Sequence, residues 1–237
     1  MLELENRVAV GLVLGQPLLD LSMKAIFLPM IDAATIKDIE ERIGERDKGN
    51  YIALVLFCRY RDDELSVPWR VAANFINYHF SSGRDLDIFV PGFSFYGANH
   101  RDDLGHAVKL RNSKPQGYYY PKALVDAEEF LTENMPGFHL GSSVTAVAIE
   151  VEDDVPDWKN GAVINLSNGP MEEVERQIME IINGSKISQG TVDPSSAKFR
   201  RNFRLNSLVK VLVEHGWDAA SAFSGIGALV LTLASSS

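Results

Sequence analysis

Asn99-His100-Arg101-Asp102-Asp103-Leu104-Gly105-His106 gathers imidazole and carboxylate groups into one short stretch of the chain. Side chains of these two types at close spacing can share a divalent ion, and such an ion lets a bound water act as hydroxide near neutral pH. In that reading His100, Asp102 and His106 are the metal ligands, Asp103 is the general base, and the reaction is a hydrolysis. The same residues also make a solvated loop, with Asp and His capping the turn and pairing with Arg101.

A second stretch, Gly92-Phe93-Ser94-Phe95-Tyr96-Gly97, follows an apolar run and partly matches the Gly-x-Ser-x-Gly turn that exposes a nucleophilic serine, with Tyr96 in the second glycine position. Phe93, Ser94 and Tyr96 are therefore candidate ligand-binding residues. The five histidines (79, 100, 106, 139 and 215) offer bases for such a serine without a diagnostic spacing. The bland alternative is an aromatic loop packed over the end of a sheet. Both stretches lie just past a strand's carboxyl end, where open α/β sheets place ligands. A third cluster, Lys198, Arg200, Arg201 and Arg204, crowds about two turns of a helix and reads as solvated surface or as a docking face for an acidic partner.

His100-Arg101-Asp102-Asp103 is faintly similar to the His-Pro-Asp-Asp motif of metal-dependent deacetylases of the LmbE-like class. That resemblance implies a metal-held hydrolytic water. It covers these four residues only: arginine replaces the proline, and no His-x-Asp-His partner motif follows, so membership is not inferred. Phosphate-binding loops are not evident, since Gly92–Gly97 lacks a Lys-Ser/Thr pair and Gly225-Ile-Gly227 lacks a third glycine. Asp153, Asp157 and Lys159 fit a nuclease-like Asp…Asp-x-Lys pattern, but an acidic turn accounts for them more simply.

The elements that position these groups follow from apolar patterning. Tyr51–Cys58 is an uninterrupted apolar run of strand length, as expected of a strand buried on both faces. Pro68 then opens a helix carrying Trp69, Ala72, Ala73, Ile76 and Phe80, and Leu86–Val90 returns as a strand, the rhythm of a parallel crossover. Upstream, strands are expected near 8–14 and 25–31, followed by a helix capped by Asp32 with Ile36, Ile39 and Ile43 inward. Downstream, residues 98–116 read as a long polar loop, Tyr118–Tyr120 as a short strand, and Pro121 as the start of a helix ending at Pro136-Gly137. Val144–Val151 and Gly161–Leu166 read as strands flanking an acidic turn, and a helix from Gly169-Pro170 is expected to stop at Asn183-Gly184.

The pattern predicts an α/β fold of three layers, with a mostly parallel or mixed sheet flanked by helices over residues 1–190, and a helical C-terminal appendage with an apolar tail over 191–237. Of the 237 residues 46% are hydrophobic and 23% charged, an ordinary globular balance. A net charge of -9 disfavours nucleic acid as a partner. Cys58, alone, excludes an internal disulfide, and the opening Met-Leu-Glu-Leu-Glu lacks a basic signal region, so a cytoplasmic location is expected. The uncharged run Ala219–Ser237 is rich in serine and ends without a basic anchor, so no membrane span is expected; self-association or a protein partner through residues 195–237 is. Two functions follow: a cytoplasmic ligand-sensing or protein-interaction module within a larger assembly, with no certain cofactor, or a metal-dependent hydrolase using the 100–106 cluster and a divalent metal.

Overall fold

A computed structural model of the chain describes residues 33–46, 51–59, 66–82, 86–95, 101–110, 116–166, 168–190 and 208. The expected strands near 8–14 and 25–31, His100, Tyr96, the basic residues Lys198, Arg200, Arg201 and Arg204, and the tail 219–237 lie outside the described residues.

In chain order the elements are α1 (Ile36–Gly44), β1 (Tyr51–Cys58), α2 (Val67–Ser82), β2 (Leu86–Phe89), β3 (Phe93–Ser94), β4 (Val108–Leu110), β5 (Gly117–Tyr119), α3 (Pro121–Asn134), β6 (Val144–Glu152), β7 (Val155–Pro156), β8 (Ala162–Asn165) and α4 (Met171–Gly190). Short 3-10 turns occupy Asp102–Leu104 and Trp158–Asn160. The fold is α/β: a mixed sheet flanked by helices. Among the described residues no helix is long and apolar enough to cross a membrane.

β1 is central and every one of its residues is buried. It runs parallel to β2 and antiparallel to β6, with Ile52 opposite Leu86 on one side and Cys58 opposite Val144 on the other. β6 in turn pairs antiparallel with both β7 and β8. The β1–β2 pairing is the parallel one among the described strands, so antiparallel pairing dominates, contrary to a mostly parallel expectation. The reason is connection length. Parallel neighbours need a long crossover, which α2 supplies between β1 and β2, whereas the tight turn at Asp153 and Asp154, both in the left-handed region at φ 51° and 62°, can only fold β6 back on itself.

α1 starts at Thr35 rather than at Asp32. Thr35 Oγ1 accepts from the Asp38 amide at 3.1 Å while the Asp38 carboxylate accepts from the Thr35 amide at 2.9 Å, a reciprocal cap that requires the partners to stand three residues apart. α2 buries Pro68, Trp69, Val71, Ala72, Phe75, Tyr78 and Ser82: Trp69 and Ala72 face inward as expected and Ala73 and Ile76 are partly buried against the core, whereas Phe80 is 42% exposed. Both sets follow the three- and four-residue helical spacing; the inward stripe is rotated by part of a turn towards Val71, Phe75 and Tyr78, which leaves Phe80 at the exposed margin. α2 packs against β1, β2 and α4, and Glu175 on α4 accepts hydrogen bonds from Asn74 at 3.3 Å and Tyr78 at 3.4 Å. α4 runs through Asn183-Gly184 to Gly190, so the expected stop is passed, and Gly184 is buried within the helix.

The expected loop over 98–116 is interrupted by a strand, Val108–Leu110, and the strand expected at Tyr118–Tyr120 is present at Gly117–Tyr119. Val108–Leu110 and Gly117–Tyr119 pair, and β3 joins them in a second, antiparallel sheet ordered β3-β5-β4. Strands of two and three residues carry too few alternations to show a period in sequence. Gly92 seats this sheet: at φ +79° its amide donates to the Ala34 carbonyl at 2.8 Å and its carbonyl accepts from Tyr120 at 2.7 Å.

Candidate functional site

The β1–β6–β8 register brings three distant loops to one edge of the main sheet. Cys58 stands opposite Val144, and Thr145 stands opposite Asn165, so the chain leaving β1, the chain entering β6 and the chain leaving β8 converge at the carboxyl end of β1. Between them lies a cavity of about 520 Å³. One wall is Arg59, the residue after β1, and the start of α2 with Ser66, Val67 and Pro68; the other is the Leu140–Ser143 loop, with Asn168 beyond β8.

The loops are held by backbone and amide hydrogen bonds. The Arg59 amide donates to the Ser143 carbonyl at 3.2 Å, which continues the β1–β6 pairing past its last residue. The Gly141 amide donates to Asn165 Oδ1 and the Ser143 amide to Asn168 Oδ1, each at 3.1 Å. Because the carboxamide oxygen of Asn168 is engaged there, its Nδ2 remains a donor. The Ser142 hydroxyl donates to the Val144 carbonyl. A Cβ at Gly141 would lie 2.6 Å from the Asn165 carboxamide, so a larger residue there displaces that side chain. Arg59 Nη2 bonds Glu128 Oε1 on α3 at 2.7 Å, with the arginine side chain half exposed. The Ser66 hydroxyl is shielded from solvent and has no hydrogen-bond partner.

Among the described residues, those lining the cavity include no His, Cys, Asp or Glu. The described lining residues supply hydrogen-bond donors and a small apolar surface from Val67, Pro68 and Leu140.

The sequence-predicted residues are placed differently. Asp102 and Asp103 lie on the 3-10 turn, Asp103 and His106 are exposed, and His100 is outside the described residues. Arg101 ties this turn to α1: its Nη2 bonds Asp38 at 2.9 Å and its Nε bonds Asp103 at 3.4 Å. Burial lowers the Arg101 pKa, but the hydrogen bonds of Asp38 and Asp103 raise it further, so the net shift is upward. Among the described residues no group of three or more His, Cys, Asp or Glu is placed to hold a metal ion. Ser94 is buried on β3 opposite Tyr118, on a strand rather than on a strand-to-helix turn. Phe93 packs edge-on to Phe75 and to Phe95, at centroid separations of 4.7 and 5.1 Å. Cys58 is fully buried, and burial pushes its thiol far up, away from nucleophilic use.

At the opposite end of β1, Arg46 forms an ion pair with Asp87 on β2 and lies 5.7 Å from the centre of the Tyr51 ring. Burial lowers the Arg46 pKa and pushes the Tyr51 phenol up to about 12.

The cavity residues escaped sequence reasoning because each sits in a short polar connection that looks like any other. The available signal was small: Gly141-Ser142-Ser143 immediately before a buried strand, with Asn165 at the end of another and Asn168 just after it. Comparison with known proteins found no family model, curated protein or solved structure that matches the chain.

Proposed function

We propose that this chain is a ligand-binding α/β module whose ligand occupies the cavity at the carboxyl end of β1. The observation that carries the reading is a cavity of about 520 Å³, the size of a small-molecule site, at the carboxyl end of β1, where α/β folds bind ligands, lined among the described residues by donors and apolar groups without an acid or base. Such a lining favours recognition over chemical transformation, which fits a sensing module better than a hydrolase.

The test is a thermal-shift screen of the full chain against neutral, cationic and anionic small metabolites, repeated on Ser143→Trp. A ligand at a hundred times its dissociation constant stabilises by about 2.7 kcal/mol, or roughly 5–10 °C for a chain of this size. The Ser143 backbone bonds do not depend on its side chain, so the variant is expected to fold and its indole to fill the cavity. At least one compound should stabilise the wild type and not the variant. A screen in which no compound discriminates the two proteins refutes the reading.

A further inference from the structure

We infer that the cavity selects an oxyanion, the phosphate or carboxylate group of its ligand; this rests on the ligand-binding reading above. The chain carries a net charge of -9, yet among the described residues lining this cavity Arg59 is the charged one and none is acidic. What surrounds the space is a converging set of donors. Arg59 gives one N–H to Glu128 and keeps the rest of its planar fork, the geometry that matches carboxylate and phosphate oxygens. Asn168 Nδ2 is left as a donor by the bond its oxygen accepts from Ser143. Ser66, also at the wall, carries a hydroxyl that is shielded from solvent and has no hydrogen-bond partner. The first turn of α2 adds partial positive charge and carries no acidic side chain to neutralise it.

Glu128 makes the inference sharp. Its carboxylate holds Arg59 from the α3 side and competes with any anion for the same guanidinium. Arg59 and Glu128 substitutions must therefore act in opposite directions, which a merely structural ion pair would not produce.

The experiment is titration of the isotope-labelled full chain with inorganic phosphate, with acetate and with glycerol at constant ionic strength, followed by backbone amide NMR. Phosphate, acetate or both should shift the amides of Val67, Ser142 and Ser143 saturably, and the stronger of the two identifies which oxyanion the ligand carries. Glycerol should not. Arg59→Gln should weaken that binding about 10- to 100-fold, the range of a charge-assisted hydrogen bond, and Glu128→Gln should tighten it by up to about fivefold. Absence of a saturable shift with either anion, or Arg59→Gln within twofold of wild type, or binding undisturbed by Ser143→Trp, overturns the oxyanion assignment. If in that case a neutral compound from the thermal screen still binds and is blocked by Ser143→Trp, the cavity stands as a ligand site and the charge preference alone is wrong. If nothing binds there, both readings fall together.

Discussion

Removing the Tyr51 hydroxyl should stabilise the protein, and increasingly so at high pH. Tyr51 is 1% exposed, and its phenolic oxygen is buried without a hydrogen-bond partner, so the folded state bears a desolvation cost that the unfolded state does not. Tyr51→Phe keeps the ring and its contact with Arg46 and deletes only that oxygen, which should add about 1 kcal/mol at pH 7. Burial pushes the phenol up to about 12 against an ordinary value of 10, with Arg46 opposing and Asp154 adding to the shift. An unfolded tyrosine therefore loses its proton from pH 10 upward while the folded one keeps it. The contribution of the neutral phenol to stability is complete below pH 10 and is lost as pH rises towards 12. One pH unit corresponds to about 1.4 kcal/mol, so by pH 11.5 the wild type should lose about 2 kcal/mol more than the variant. Urea unfolding followed by tryptophan fluorescence at pH 7, 9.5 and 11.5 measures both quantities, and the other tyrosines cancel in the comparison. A variant destabilised by more than about 1 kcal/mol at pH 7 would mean the hydroxyl has a partner. A wild-type-to-variant gap unchanged between pH 9.5 and 11.5 would refute the burial argument itself.

Gly92→Ala should cost about 2 kcal/mol or more, because it places an L residue at φ +79° with its Cβ 3.0 Å from the Tyr120 carbonyl oxygen. Gly105→Ala, at φ +77° with nothing within 4 Å of the new Cβ, should show the backbone term alone; equal losses in the two variants would discount the crowding at Gly92. For the 100–106 cluster, elemental analysis of purified wild type, His100→Ala and Asp102→Ala should find no stoichiometric metal in any of the three. Stoichiometric metal in the wild type that disappears in both variants would reinstate the hydrolase.

Local pattern determined a good deal of this protein. The apolar run Tyr51–Cys58 could only be a strand buried on both faces, and all eight of its residues are buried. Pro68 and Pro121 near the starts of their helices, and Pro136-Gly137 after the second, mark boundaries because proline and glycine restrict the backbone of their own residues. The Val144–Glu152 strand announced itself in the same way. These features depend on near neighbours in the chain, so composition and spacing carry them.

Tertiary structure decided the rest. Whether Phe80 or Phe75 faces inward depends on what α2 packs against, and both positions are equally apolar in sequence. The second sheet exists because Gly92 is gripped from Ala34 and Tyr120, contacts no local pattern contains. The cavity is the plainest case: Arg59, Ser143 and Asn168 are unremarkable polar residues in three separate connections, and only the antiparallel register of β1, β6 and β8 sets them around one space. Register is a non-local choice, made by pairing both edges of β1 with β2 and β6 while its side chains are buried on both faces, and a site assembled by it leaves no periodicity in the chain to read.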